Sequence, residues 1–132
     1  MGNKKILLVE DDKDNVMAMA VRLKAFGYEL AVAHDAISAI STARKERPDL
    51  IVLDLGLPGG DGFLVMQRMK SNMDLMLVPI IVVSARDPLT NESRALEAGA
   101  EAFLQKPVDN NEFLEVIQKA LAKQVGVRQS AR

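Results

Sequence analysis

The chain predicts an α/β fold in which helices cover both faces of a parallel sheet. Three short runs of β-branched and leucine side chains, at 6–9, 50–53 and 80–83, are apolar on consecutive residues. Strands with this pattern are buried on both faces of a sheet. The segments between them carry apolar residues three and four positions apart, which is the period of an amphipathic helix. Regular alternation of strand and helix is typical of parallel α/β sheets.

The alternation predicts five strand–helix units in succession. We expect strands at 4–10, 28–33, 50–54, 79–84 and 101–105. We expect helices at 12–26, 36–46, 62–73, 88–98 and 110–123. The second strand alternates apolar and polar residues like an edge strand, and the fifth is short and is bounded by Pro107.

Stripes and capping residues support the helices. The first helix has the stripe Val16, Met19, Ala20, Leu23 and Phe26. The second has the shorter stripe Ile37, Ile40 and Ala43. The fourth begins with Asp87 as N-cap and Pro88 at its first position, but it has few large apolar side chains, so we expect it to be the least stable helix. In the fifth, Asp109 and Glu112 have the spacing of a capping box.

Composition limits the number of domains and the chemistry. A chain of 132 residues predicts one domain, at 1–123, followed by a tail or truncated linker at 124–132. A net charge of -1 argues against direct nucleic-acid binding. With no cysteine and a single His34, disulfides, thiolate or imidazole metal sites and Ser-His catalysis are poorly supported. Carboxylate, hydroxyl and amine chemistry remains.

Hydropathy predicts neither a membrane span nor a signal peptide. The longest unbroken apolar run, 16–21, is much shorter than the ~18 residues that a span requires. The first five residues end in charged side chains and do not show the pattern of a signal peptide. We therefore expect no membrane association and a cytoplasmic location.

Functional side chains follow the predicted strands at their carboxyl ends, where ligands gather in open α/β sheets. Glu10, Asp54 and Ser84 end the first, third and fourth predicted strands. Asp11 comes directly after the first strand, and Lys106 directly after the fifth. Each of them alone has an ordinary explanation as a cap, a turn residue or a solvated lysine. Together they point to a site, because neighbouring carboxylates repel one another and must take up protons or recruit a cation.

Oxygen ligands without histidine or cysteine favour Mg²⁺, or Mn²⁺ in its place, with a phosphoryl group as the missing ligand. We expect Asp54 to act as the nucleophile toward phosphorus, because the central buried strand holds it in place. Asp11 with Glu10 would hold the metal, directly or through water, and the main-chain carbonyl of Gly56 could add an oxygen.

Two further side chains complete the predicted site. Lys106 and the Ser84 hydroxyl would contact the phosphoryl oxygens and offset the negative charge that develops during transfer.

These residues resemble the receiver domain of two-component response regulators, a family that includes chemotaxis response regulators. The resemblance covers about residues 4–122. Any one matching piece is weak, but five in order at matching spacings are specific. The matching pieces are Ile6-Leu7-Leu8-Val9-Glu10-Asp11, Leu53-Asp54-Leu55-Gly56-Leu57-Pro58, Asp61-Gly62, Val83-Ser84-Ala85 and Lys106-Pro107.

The resemblance implies a doubly wound, flavodoxin-like (βα)5 fold with strand order 2-1-3-4-5. It implies that Asp54 accepts phosphate from a phosphohistidine of a sensor kinase or phosphotransfer protein, with Mg²⁺ bound by Asp11, Asp54 and the Gly56 carbonyl. Ser84 would then move toward the phosphoryl group, and Phe103, at the aromatic switch position, would turn inward.

The same resemblance implies a switch rather than an enzyme with a separate substrate, because the domain phosphorylates and dephosphorylates only itself. Output would pass to a partner on the surface of residues 88–121 or to an effector domain. Gly56 leaves little side chain to shield a phosphoryl group from water, so we expect a short-lived phosphorylated form unless Arg86 covers the site.

Four other functions compete with this interpretation. A receiver-like interaction module that never carries phosphate would lose site residues, yet all are present. A flavin carrier needs a phosphate loop where Asp11 and its acidic neighbours would repel phosphate. An aspartyl phosphatase needs a second acid where Gly56 stands. A calcium loop starting at Asp12 needs glycine where Met17 stands.

Overall fold

A computed structural model describes residues 3–130, with side chains described for residues 3–123. Five strands alternate with five helices, in the predicted order. The strands are β1 (Lys5–Val9), β2 (Glu29–Ala33), β3 (Leu50–Leu53), β4 (Ile80–Ser84) and β5 (Ala102–Gln105). The helices are α1 (Lys13–Ala25), α2 (Ala36–Glu46), α3 (Gly62–Ser71), α4 (Pro88–Glu97) and α5 (Asn110–Ser130).

The five strands form one parallel sheet with the order β2-β1-β3-β4-β5. This is the doubly wound, flavodoxin-like arrangement that the resemblance implies, so the prediction is confirmed. Strand order reverses beside β1, where the chain first runs to β2 on one side and then returns to β3 on the other. In such sheets the reversal point opens a crevice at the carboxyl ends of the strands.

The sheet separates two apolar cores. Alternate strand residues such as Leu7, Ile51 and Val82 pack on one face with α2, α3 and α4. Their neighbours, including Leu8 and Val52, pack on the other face with α1 and α5. Both sets are buried, which explains why these strands are apolar on consecutive residues.

Most predicted bounds lie within two residues of the observed ones, and α2 matches at both ends. The exception is α5, which begins at Asn110 as expected but continues to Ser130 rather than ending at 123. Its first turn is capped by Asp109, whose Oδ1 accepts a hydrogen bond from the Glu112 N–H at 2.9 Å. Among the residues described, no helix is both long and apolar enough to cross a bilayer.

Two of the predicted apolar stripes are partly wrong. Phe26 is 53% exposed and is the C-cap residue that follows the end of α1 at Ala25. In the stripe predicted for α2, Ala43 is buried and Ile40 is partly buried as expected, but Ile37 is 78% exposed. Ala36 and Ala39 complete the buried face. The buried face of α2 is therefore formed mainly by alanines, and Ile37 lies outside it.

Helix α4 has the weak attachment that its sequence predicts. Asp87 is its N-cap and Pro88 occupies the first turn, as expected. Ala95 is the one residue that α4, which is described in full, buries. Helix α1 also buries one residue, but that residue is the larger Leu23, and Val16 and Met19 pack partly buried beside it. Because burial of apolar area supplies most helix stability in proteins, the single alanine gives α4 a weak hold on the sheet.

A close approach between α3 and the end of β3 requires glycine. The N–H of Gly62 donates to the Leu55 carbonyl at 2.9 Å. A Cβ atom at position 62 would lie 2.5 Å from the Leu55 Cα and 2.8 Å from the Asp54 carbonyl oxygen. Backbone atoms cannot move aside as a flexible side chain can, so Gly62 lets α3 start directly against the segment that carries Asp54.

Replacing Gly62 by alanine should lower the free energy of unfolding by about 2–3 kcal/mol, because the added methyl group forces backbone apart. Gly56→Ala is the matched control, since no atom lies within 4 Å of a Cβ there. We expect the control to change stability by less than about 0.5 kcal/mol. Urea denaturation of both variants measures the difference, and equal stabilities would contradict the close approach.

Candidate functional site

The predicted site residues meet at the carboxyl edge of the sheet. Glu10 directly follows β1, Asp54 directly follows β3, Ser84 ends β4, and Lys106 directly follows β5. Glu10, Asp54 and Ser84 are the buried polar residues of the described chain. Burial of polar groups is costly unless they have partners. Three buried polar side chains at one edge of the sheet therefore indicate a candidate functional site.

Three carboxylates form a group that could hold a metal ion. One oxygen from each of Glu10, Asp11 and Asp54 lies within 4.8 Å of the other two. Glu10 is buried, Asp54 is 9% exposed, and Asp11 is exposed. The group therefore has a closed side and an open side, which suits a hard cation that keeps part of its hydration. The Gly56 carbonyl stays a predicted ligand.

Lys106 brings a positive charge to this group. Its Nζ lies 2.5 Å from Glu10 Oε1 and 3.6 Å from Asp54 Oδ2. The sequence predicts a role for Lys106 toward a phosphoryl group, but in this structure its nearest partner is Glu10. The second oxygen of Glu10, Oε2, accepts the N–H of Asp12 at 3.2 Å. Both oxygens of Glu10 are therefore engaged.

The two oxygens of Asp54 differ. Oδ1 accepts the N–H of Gly56 at 3.2 Å. Oδ2 lies at ion-pair distance from Lys106, and the described residues donate no hydrogen bond to it. Of the three carboxylates, Asp54 thus has one oxygen that is held by a backbone N–H and a second oxygen that lies near a cation and accepts no hydrogen bond from the described residues.

Burial raises the pKa of Glu10, and the negative charge of Asp54 acts in the same direction. The bonds from Lys106 and from the Asp12 N–H oppose this effect. Desolvation is the largest of these contributions, so the charged form of Glu10 depends on Lys106.

A hydrogen bond connects Ser84 and Arg86. The Ser84 side chain is buried, and its Oγ accepts the N–H of Arg86 at 3.0 Å. The hydroxyl hydrogen is left to donate elsewhere. The Arg86 side chain reaches across the β3–α3 loop, with Nη2 3.4 Å from the Leu55 carbonyl and Nη1 3.9 Å from Asp61 Oδ2.

Neither Phe103 nor His34 belongs to the carboxylate group. Phe103 is 9% exposed and belongs to the core on the α2, α3 and α4 side, so its ring is already buried here. Its role as a switch stays a prediction. The Nδ1 atom of His34 lies 3.3 Å from the Glu10 carbonyl oxygen, on an exposed residue after β2.

Other acids at this edge cap helices instead of joining the cluster. In each case a carboxylate oxygen accepts a backbone N–H of the first turn. These capping residues are Asp12, Asp35, Asp61, Asp87 and Asp109. Sequence reasoning missed the contact of Asp61 with Arg86. An aspartate before a helix start signals only the cap, and nothing local indicates the arginine.

Comparison with known proteins identifies relatives over most of the chain. Residues 6–118 match the family described as "Response regulator receiver domain". Polar-differentiation response regulator DivK of Brucella anthropi is 33% identical over 118 residues, which are 89% of this chain and 96% of that protein. Response regulator PleD of Caulobacter vibrioides is 36% identical over 106 residues, 80% of this chain, but the chain spans only 23% of that protein's length.

Solved structures share the fold. The receiver domain of sensor histidine kinase PA1611 from Pseudomonas aeruginosa is 30% identical, with a TM-score of 0.84 over 92% of this chain and 99% of that one. That structure is described as having a magnesium ion coordinated in its active site cleft.

Replacing Lys106 by methionine should lower the free energy of unfolding by about 2 kcal/mol near neutral pH, because buried Glu10 loses its cation. Without Lys106 the folded-state pKa of Glu10 rises further above the unfolded value. The loss should therefore shrink as pH falls and Glu10 takes up a proton. Urea denaturation across acidic and neutral pH measures both effects.

The double variant Lys106→Met/Glu10→Gln should regain part of that stability, because the Glu10 charge is no longer left unpaired, whereas Asp54 still lacks Lys106. Lys119→Met is the control, because Lys119 pairs with Glu115 at the surface and such pairs contribute less than about 1 kcal/mol. A loss that is independent of pH, or a double variant as unstable as the single one, would contradict the role of the pair.

Proposed function

This chain belongs to the response regulator receiver domain family of two-component systems, and we propose that its Asp54 is the residue that accepts the phosphoryl group. The donor is a phosphohistidine of a sensor kinase or of a histidine phosphotransfer protein. Phosphorylation of Asp54 changes the conformation around Ser84 and so controls an output partner or domain.

The contacts of Asp54 Oδ2 are the main support for this proposal. Within the described residues this oxygen accepts no hydrogen bond, yet it lies 3.6 Å from the ammonium of Lys106. Glu10 is a poor nucleophile by comparison, because its two oxygens are bound to Lys106 and to the Asp12 N–H. Asp11 is exposed, and no ion pair to it is found among the described residues. Asp54 is the carboxylate that is both positioned and available.

The transfer is a displacement at phosphorus. Oδ2 of Asp54 attacks the phosphorus atom, the P–N bond of the phosphohistidine breaks, and its electron pair leaves with the imidazole, which takes up a proton. The product is an acyl phosphate on Asp54. Lys106 and the Ser84 hydroxyl contact the phosphoryl oxygens and offset their charge.

We propose Mg²⁺, or Mn²⁺, as the cofactor, held by Glu10, Asp11, Asp54 and the Gly56 carbonyl. The oxygen-only donor set and its open side support a hard cation. When bound, the cation supplies positive charge that offsets the repulsion between the carboxylates and the incoming phosphoryl group. The magnesium ion in the related PA1611 receiver domain adds support.

Ser84 and Phe103 form the proposed switch. Ser84 moves toward the phosphoryl group, and Phe103, on the neighbouring strand, adjusts to the space that it leaves. The response reaches the surface of residues 88–121, where α4 is attached by little buried area. A partner that binds this surface, or an effector domain, reads the change.

The proposed activity is limited to the domain itself. It takes up a phosphoryl group and later loses it to water, with no separate substrate turned over. Gly56 and Arg86 control access to the acyl phosphate, because no side chain covers position 56 and the guanidinium of Arg86 spans the adjoining loop.

Asp54→Asn should abolish phosphate uptake from acetyl phosphate, because an amide is not a nucleophile toward phosphorus at neutral pH. Incubation with labelled acetyl phosphate and Mg²⁺, followed by mass spectrometry, measures uptake. Asp35→Asn removes one charge at the same edge and keeps its helix cap, so it should label like the natural chain.

Equal labelling of the Asp54→Asn variant would overturn the assignment of the phosphoacceptor. Absence of labelling in the natural chain would instead support the competing function, an interaction module that carries no phosphate.

Mg²⁺ at about ten times its dissociation constant should stabilise the fold by about 1.4 kcal/mol. For a domain of this size we expect that to raise the unfolding midpoint by about 5 °C. Asp11→Asn should remove most of the shift, whereas Asp14→Asn, an exposed first-turn residue of α1 outside the cluster, should keep it. Thermal unfolding followed by circular dichroism measures the shift, and an undiminished shift in Asp11→Asn would contradict the metal site.

A further inference from the structure

We propose that Asp61 is a positioning residue that keeps the Arg86 side chain away from Asp54 while Asp54 is unphosphorylated. Once Asp54 carries a phosphoryl group, Arg86 leaves Asp61 and binds that group. The captured Arg86 then covers the acyl phosphate and lengthens its lifetime. This inference rests on the proposed role of Asp54. It adds a residue, Asp61, that determines how long the phosphorylated state lasts.

The two carboxylate oxygens of Asp61 make different contacts. Oδ1 accepts the N–H of Phe63 at 2.8 Å and caps α3. Oδ2 faces Arg86 Nη1 at 3.9 Å. The other guanidinium nitrogen, Nη2, donates to the Leu55 carbonyl at 3.4 Å. The guanidinium is therefore tied near both ends of the β3–α3 loop, the segment that follows Asp54.

In this position Arg86 leaves the surroundings of Gly56 open. No atom lies within 4 Å of a Cβ built at Gly56, so the guanidinium does not rest against it. Gly56 itself donates its N–H to Asp54 Oδ1 and is exposed. Water can reach the site beside Gly56 as long as Arg86 stays with Asp61.

The balance of charge changes when Asp54 is phosphorylated. The Arg86 and Asp61 side chains are 38% and 46% exposed, so their ion pair is screened and weak. A phosphoryl group carries about two negative charges and offers several acceptor oxygens, which an arginine binds with two parallel hydrogen bonds. Arg86 therefore exchanges a weak partner for a stronger one.

Ser84 couples this exchange to the switch. Its Oγ accepts the Arg86 N–H, and its own hydrogen remains free to donate to a phosphoryl oxygen. A movement of Ser84 toward the phosphoryl group carries the Arg86 backbone in the same direction. One displacement of the β4–α4 loop thus delivers both the hydroxyl and the guanidinium.

Hydrolysis returns the pair to its resting state. Water attacks the phosphorus atom, the P–O bond to Asp54 breaks, and inorganic phosphate leaves with the Asp54 carboxylate regenerated. Arg86 then returns to Asp61. A carboxylate at position 61 competes with the phosphoryl group for Arg86, so removing its charge should favour the covered form.

A cycle of three variants tests this inference by measuring the half-life of the phosphorylated chain after labelled acetyl phosphate is removed. Asp61→Asn keeps the capping oxygen but loses the charge, and we expect a half-life about two- to fivefold longer, the range of an exposed ion pair. Arg86→Ala should shorten the half-life. Asp61→Asn/Arg86→Ala should match Arg86→Ala alone, because Asp61 acts only through Arg86.

Asp35→Asn controls for the general loss of a negative charge at this edge and should leave the half-life unchanged. The effect of Asp61→Asn should also diminish at high salt, because salt screens an exposed pair. A merely structural role of Asp61 would change the unfolding midpoint without this salt dependence.

An Asp61→Asn half-life equal to or shorter than that of the natural chain would overturn the inference, as would the same lengthening in the Arg86→Ala background. Failure of the natural chain to label at all would reject the phosphoacceptor role of Asp54 instead, so the two failures are distinguishable.

Discussion

Repulsion between three carboxylates at one edge of the sheet is the constraint on which the site depends. Glu10, Asp11 and Asp54 each bring an oxygen within 4.8 Å of the others. The ammonium of Lys106 contacts two of them and makes the ionised group tolerable in a largely buried place. The same excess of negative charge favours a divalent cation. Stability and the chemistry of phosphoryl transfer thus draw on one set of side chains.

The parallel sheet concentrates acids at this edge for a second reason. Every crossover returns the chain so that each helix begins near the carboxyl ends of the strands, and all five helices begin with an aspartate cap. Acids at this edge are therefore of two kinds, those that satisfy backbone donors and those that face one another. Asp61 belongs to both, because one oxygen caps α3 and the other faces Arg86.

Strand positions were predictable because a strand that is buried on both faces has apolar side chains at consecutive positions, as in β3 and β4. Helix faces were less predictable. Ile37 fits the helical period of α2 but lies outside, since alanines face the sheet there. Phe26 fits the period of α1 but follows its last turn. Periodicity reports which residues share a face, whereas the size of the space beneath that face depends on elements elsewhere in the chain.

The order of elements, the parallel sheet and the set of side chains at its carboxyl edge were determined by the sequence alone, because each follows from local periodicity or from residues adjacent to a strand. Tertiary structure decided which atoms are paired. Lys106 meets Glu10 across 96 positions of the chain. The bond of Arg86 to Leu55 joins separate loops, and Asp54 Oδ2 is left without a donor among the described residues. Such contacts depend on distances set when remote elements pack, and no local pattern records them.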